Sequence, residues 1–232
     1  MEVAMTEQGR VAAAPWRDAT FANVWTRTDS HAELLALPRA LAAALVAQDR
    51  PFSHRILDIG SGPGDFLATF LDEFPNAQGV WLDASEAMLD LAKDRLSPYR
   101  GRVEFRLLDM TDLLDRDLPT DFDAVITSRA SHHLDRAALA DFYGQAAQLL
   151  APGGWLLNLD HIGPADDNWD ERLRTVRKRF QPPSNTPPHH HTYPLTSIND
   201  HLDGLAAAGL TDAEVAWRAF VTCLFAARNQ VS

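Results

Sequence analysis

ILDIGSGPGDF, residues 56–66, joins an apolar run to a glycine-rich turn and then to the start of an amphipathic segment. The apolar run reads as a buried strand and the segment after it as a helix. Gly60, Gly62 and Gly64 fall at the turn between them. Glycine there permits positive φ and lets a ligand lie directly against backbone. A dinucleotide turn has the spacing G-x-G-x-x-G and points a helix N-terminus at a pyrophosphate. Here the spacing is G-x-G-x-G, and Asp65 stands where the third glycine of the dinucleotide form would fall. With Asp58 just before the turn, two carboxylates flank it. They would repel a pyrophosphate and suit a ligand that carries sulfonium and ammonium charge.

Working outward, short apolar runs alternate with helical segments. GVWLD is expected as a strand, SEAMLDLAKDRL as a helix, VEFRLLD and FDAVITS as strands, RAALADFYGQAAQLL as a helix and GGWLLNLDH as a strand. That alternation predicts parallel strands joined by crossover helices on both faces of one sheet. Pro152, Gly153 and Gly154 are expected to stop the helix before the last of these strands. Residues 16–48 read as helical, with Leu34, Leu35, Leu41 and Leu45 on the apolar face, and Pro38 is expected to begin a second helix or kink the first. DDNWDERLRTVRKRF, 166–180, is an amphipathic helix with its acids first and its bases last, and Leu173, Val176 and Phe180 lie on one side. The proline- and histidine-rich stretch 181–194 is a loop, and loops of that length often act as lids or binding surfaces. A helix in TSINDHLDGLAAAG follows, and 211–227 close the chain as an antiparallel hairpin.

Two further acids mark the ligand edge. Asp83 ends the second strand about 20 residues past the turn, where a carboxylate accepts hydrogen bonds from ribose hydroxyls. Asp109 and Met110 follow the third strand, where an acid accepts from an adenine amino group and a thioether lies on the ring. At this point the chain resembles the class I S-adenosylmethionine-dependent methyltransferases. ILDIGSGPG resembles that family's first motif, and WLDASEAML its second-strand motif, with Ser85 as an N-cap. LLDMTDL resembles its adenine motif, and FDAVITSRASHHL and LLAPGGWLL its fourth- and fifth-strand motifs. The resemblance covers residues 55–161. It implies an α/β, Rossmann-like, doubly wound fold: a seven-stranded, mostly parallel sheet with an antiparallel last strand, helices on both faces and an N-terminal helical cap. It implies S-adenosylmethionine as cofactor, with S-adenosylhomocysteine as product. Asp58, Gly60 and Gly62 would line its methionine part, Asp83 would hold the ribose, Asp109 and Met110 the adenine, and Ser61, Ala84 and Met88 would also belong to the cofactor site. Ser128 and Arg129 would lie beside it.

Each residue also has a plainer role to set against this one. Asp58 can simply satisfy amides of the turn, Asp65 can stabilise its helix, and Asp109 can form a turn. His133 and His161 are the candidate catalytic bases, at the ends of the fourth and fifth strands, while His132 or His133 can instead pack on the cofactor. His189, His190 and His191 are adjacent in an extended loop and point in alternating directions, and no nearby cysteine or acid completes a site, so no metal is expected. Trp16, Phe21 and Trp25 either cover the site or belong to the core. Residues 1–50 are expected as an N-terminal helical extension, and 51–232 as one S-adenosylmethionine-binding domain with 181–194 as its lid.

Composition narrows the function class. A net charge of −11 argues against a phosphate-gripping surface and for a small or cationic ligand. The single cysteine, Cys223, excludes an internal disulfide and fits a reducing compartment. No secretory signal and no membrane-length apolar run is legible, so a cytoplasmic enzyme acting on a small molecule is expected, with a homodimer left open. Competing readings are an RNA-modifying methyltransferase using Arg174, Arg177 and Lys178, an enzyme that modifies S-adenosylmethionine itself, and an NAD(P)-dependent oxidoreductase. The acceptor atom, O, N, S or C, is not encoded in these motifs.

Overall fold

The computed structural model describes residues 18, 20, 32–114, 118–164, 167–180 and 194–230. Trp16, Phe21, Trp25, His189, His190, His191 and the rest of the loop up to residue 193 lie outside them. Chain order runs α1 (Ala32–Asp49), β1 (Arg55–Ile59), α2 (Asp65–Glu73), β2 (Gln78–Asp83), α3 (Glu86–Arg95), β3 (Val103–Leu107) and β4 (Phe122–Ser128). It continues with α4 (Arg136–Leu149), β5 (Leu150–His161), α5 (Asp167–Phe180), α6 (Ile198–Ala207), β6 (Thr211–Ala219) and β7 (Thr222–Arg228).

The strands form one seven-stranded sheet in the order β3-β2-β1-β4-β5-β7-β6. β1 to β5 pair in parallel, and β7 lies antiparallel between β5 and β6. β1 is buried on both faces, which is why RILDI is almost unbroken apolar sequence rather than alternating. Alternate residues feed two cores. Ile56, Trp81, Ile126 and Leu157 meet α1, α2 and α3, while Leu57, Ile59, Val125 and Leu156 meet α4 and α6. Strand order reverses between β1 and β4, and in open α/β sheets ligands bind at the carboxyl ends of the strands at such a point. The fold expected from the sequence is the fold observed.

Three local expectations are corrected. α1 runs through Pro38 as one helix, and Pro38 itself is buried. The packed face of α1 is Leu35, Ala42, Ala43 and Val46, while Leu41 is exposed. Small residues win there because α1 lies close against α2, and alanine permits that approach. β5 starts at Leu150, so Pro152 and Gly153 lie inside the strand rather than stopping α4. The register slips between Phe122 and Ala124 of its partner strand, and Gly153 adopts φ 70°. An irregular stretch of β5, with extra residues between Leu150 and Trp155, thus absorbs the residues that look like a helix stop. On α5, Leu173 is partly buried but Val176 is exposed, so the apolar stripe is not a core face along its whole length. Among the described residues no helix is long and apolar enough to cross a membrane.

Candidate functional site

The turn after β1 is held from four sides. Gly60, Gly62 and Gly64 have φ of 61°, 55° and 89°, the left-handed region that glycine reaches without strain. A Cβ on Gly60 would stand 2.5 Å from Ala130 Cβ and 3.3 Å from Met110 Cε. So the loops after β4 and β3 close on Gly60. A Cβ on Gly62 would meet nothing nearer than Met88 Sδ at 4.0 Å, so Gly62 faces open space bounded by Met88. The Trp81 indole donates to Gly62 O at 2.9 Å, and Ser61 N donates to Leu82 O at 3.1 Å.

Asp58 is fully buried. Its Oδ2 accepts from Ser61 Oγ at 2.6 Å and from Leu67 N at 3.1 Å, while Oδ1 makes no hydrogen bond among the described residues. Burial pushes its carboxyl up to about 7, against the pull of Ser61 and Arg39. Asp83 spans the mouth of the turn, accepting from Gly62 N at 2.8 Å and Ser85 N at 2.9 Å. Desolvation raises it to about 6, with Asp109 adding repulsion against three amide bonds. Ser85 caps α3, accepting from Met88 N at 3.2 Å. Ala84 is half-buried beside it. Asp109 spends one oxygen on Thr111, whose amide and hydroxyl donate at 2.9 and 2.7 Å. The turn-forming role weighed for it is therefore real, and only its other oxygen is left for a ligand.

A second cluster sits at the ends of β4 and β5. Ser128 Oγ is buried without a hydrogen bond among the described residues, and Arg129 takes φ 56° as its amide donates to Leu159 O at 3.0 Å. The 3₁₀ turn Ser131–His133 follows. His132 lies between the two histidines singled out by sequence: its ring centroid is 4.2 Å from that of His133 and 5.4 Å from that of His161, with both pairs tilted. His161 Nδ1 lies 3.2 Å from Thr222 Oγ1.

Sequence reasoning missed the carboxylate that organises this cluster. Asp160 is buried and accepts from His132 Nδ1 at 2.6 Å, His132 N at 2.9 Å, Ser131 Oγ at 2.7 Å and His161 N at 2.7 Å. Burial alone would raise it, but the adjoining His132 imidazole and these donors hold it well below the usual carboxylate range. A signal was present: Asn158 and Asp160 are two polar residues, two apart, on one face of an apolar strand. Among the described residues no His, Cys, Asp and Glu group has metal-binding geometry.

Asp58, Gly60, Ser61, Gly62, Asp83, Met88 and Met110 thus gather at one turn, and His133 and His161 meet through His132. Residues 56–154 match the family model described as a methyltransferase domain. Over 123 residues, half of this chain, the sequence is 28% identical to phenazine-1-carboxylate N-methyltransferase of Pseudomonas aeruginosa, covering 36% of that protein. Over 146 residues, 62% of this chain, it is 33% identical to trans-aconitate 2-methyltransferase of Methylobacterium radiotolerans, covering 48% of it. The match spans less than half the length of either relative. A structure of magnesium protoporphyrin IX methyltransferase from Synechocystis, with bound S-adenosylhomocysteine, superposes with a TM-score of 0.68 at 15% identity. That superposition covers 97% of this chain and all of the other. Residues 56–154 are thus similar to a methyltransferase domain, and the chain shares the fold of that S-adenosylhomocysteine-bound enzyme.

Proposed function

We propose that this chain binds S-adenosylmethionine at the β1 turn and methylates a small molecule held beside the histidine cluster. The observation that carries the reading is the Gly62 opening. A left-handed glycine faces free space, Met88 bounds it, and two desolvated acids, Asp58 and Asp83, flank it. That donor set fits a nucleoside with a cationic side chain and disfavours a pyrophosphate. S-adenosylmethionine supplies a methyl group on positively charged sulfur, which passes to a nucleophile in line and leaves S-adenosylhomocysteine.

Asp83 accepts from Gly62 N on one oxygen and from Ser85 N on the other, and its remaining acceptor capacity is available to a ribose hydroxyl. Asp58, Gly60, Ser61 and Gly62 border the methionine part. Ala84 and Met88 border the ribose side, and Met110, with the remaining oxygen of Asp109, the adenine. Ser128 Oγ and the Arg129 turn lie on the methyl side. The residues bring the two reactants to near-attack distance, which is most of what such a displacement needs. Where the nucleophile starts protonated, an imidazole takes the proton. His133 and His161 are the candidates named from sequence. Asp160 makes His132 the third, because it fixes the proton on Nδ1 and leaves Nε2 as the basic nitrogen.

The net charge of −11 supports a small acceptor over RNA. Calorimetry tests the cofactor reading: wild type should take up S-adenosylmethionine, and Asp83→Asn should weaken it by about 1 to 3 kcal/mol. No heat from wild type would end the proposal. Salt-sensitive RNA binding lost on changing Arg174, Arg177 and Lys178 would move the acceptor to RNA.

A further inference from the structure

Behind the histidine cluster runs a chain of buried polar side chains that methyl transfer, as described above, does not use. Asn158 Nδ2 lies 2.8 Å from both Ser131 Oγ and the Tyr143 hydroxyl. The Tyr143 hydroxyl lies 2.6 Å from His201 Nδ1, and His201 Nε2 lies 3.0 Å from Thr196 Oγ1. All six side chains, Asp160 included, are buried. His201 is also stacked on Phe225 at 4.3 Å with planes 10° apart.

One charge sets the direction of every hydrogen in the chain. Ionised Asp160 can only accept. Ser131 has one hydroxyl hydrogen and gives it to Asp160, so its oxygen must accept from the Asn158 amide. The second amide hydrogen goes to Tyr143, whose own hydrogen then goes to His201 Nδ1. That leaves the His201 proton on Nε2, facing Thr196. A neutral His201 agrees with this, since burial pulls its imidazole down to about 4. The amide donates in both directions and cannot pass a proton on, so the chain is a strut and not a proton wire. Asn158 Oδ1 is buried with no hydrogen bond among the described residues. A leucine of similar shape would avoid that cost, so what the amide contributes is its pair of N–H bonds.

We propose that Asn158 and Tyr143 are positioning residues that brace the His132–Asp160 pair against α4 and the Thr196–His201 corner. That corner leads into α6. The brace keeps the Asp160 carboxylate in the one orientation that holds Nδ1 of His132. This rests on the reading that the histidine cluster borders the acceptor.

Imidazole nitrogen spectra of the full-length, ¹⁵N-histidine-labelled protein near neutral pH test it, with His132→Gln and His201→Gln assigning the signals. Wild type should show His132 protonated at Nδ1 in every molecule, and His201 protonated at Nε2 alone. In Asn158→Leu and in Tyr143→Phe, His132 should split between tautomers, while S-adenosylmethionine affinity stays within about threefold. Tyr143→Phe removes a single oxygen and serves if Asn158→Leu does not fold. An unchanged His132 spectrum in the folded variants overturns the proposal, as does a wild-type His201 carrying its proton on Nδ1. Failure of the methyltransferase reading looks different: wild type would not bind S-adenosylmethionine, whatever the histidine spectra.

Discussion

A buried acid, a half-buried one and two glycines govern the β1 turn, and each makes its own prediction. Asp58 and Asp83 have carboxyls raised by burial to about 7 and about 6. A raised acid binds its proton more tightly in the native state, so below these values both are protonated and attract a cation weakly. Affinity for S-adenosylmethionine should therefore rise by roughly tenfold as pH climbs from about 5.5 to about 7.5. S-adenosylhomocysteine, which lacks the sulfonium charge, should respond less. Equal pH dependence in calorimetry would remove the acids from the sulfonium side. The glycines differ from each other. Gly62→Ala meets open space but keeps φ 55°, a strain of about 1 to 2 kcal/mol. Its fold should survive with cofactor affinity reduced. Gly60→Ala places a methyl 2.5 Å from Ala130 Cβ, so thermal melting should fall further than for Gly62→Ala.

At the scale of elements, ends matter more than propensity. α2 finishes with no basic residue in its last turn. Arg102, which leads into β3, supplies the charge instead. Its Nη1 donates to Pro75 O at 2.9 Å and Phe74 O at 3.2 Å, and its Nη2 to Leu71 O at 3.2 Å. The guanidinium thus satisfies carbonyls that the helix end leaves open, and complements its dipole. Arg102→Met should cost about 1 to 3 kcal/mol, seen as a lower melting temperature. It lies at the amino end of the strands, so cofactor affinity should hold. α6 is closed by a capping box of Ser197 and Asp200, and β4 is tied to α1 through Asp123, which accepts from Arg50. The capping pattern is local and legible in TSIND. Arg102 and Asp123 are not, because their partners lie about 30 and 70 residues away in the chain.

For the molecule as a whole, the same buried strut links acid stability to the site. His201 has its pKa lowered by burial from 6.5 to about 4. Between those values the unfolded chain holds the proton and the native one does not, so stability rises with pH there. It should be fully gained above about 6.5 and lost progressively down to about 4, a difference on the order of 3 kcal/mol. The raised acids act in the opposite sense over part of that range, so the comparison belongs between wild type and His201→Gln. If urea denaturation shows the same pH slope for both proteins from about 4 to about 6.5, His201 does not titrate with folding.

The sequence by itself determined the order of strands and helices, the doubly wound class and the glycine turn. Those follow from local periodicity and from spacings within a few residues, which any stretch of chain carries with it. Asp83, Met110 and the cap at Ser85 were legible for the same reason, since each has a fixed offset from a strand end. Tertiary structure alone decided that Trp81 holds Gly62, that Asp160 organises His132, and that Asn158, Tyr143 and His201 stand behind it. Those partners come from four different elements, and a side chain's partner across the sheet is set by packing and burial, which have no period along the chain.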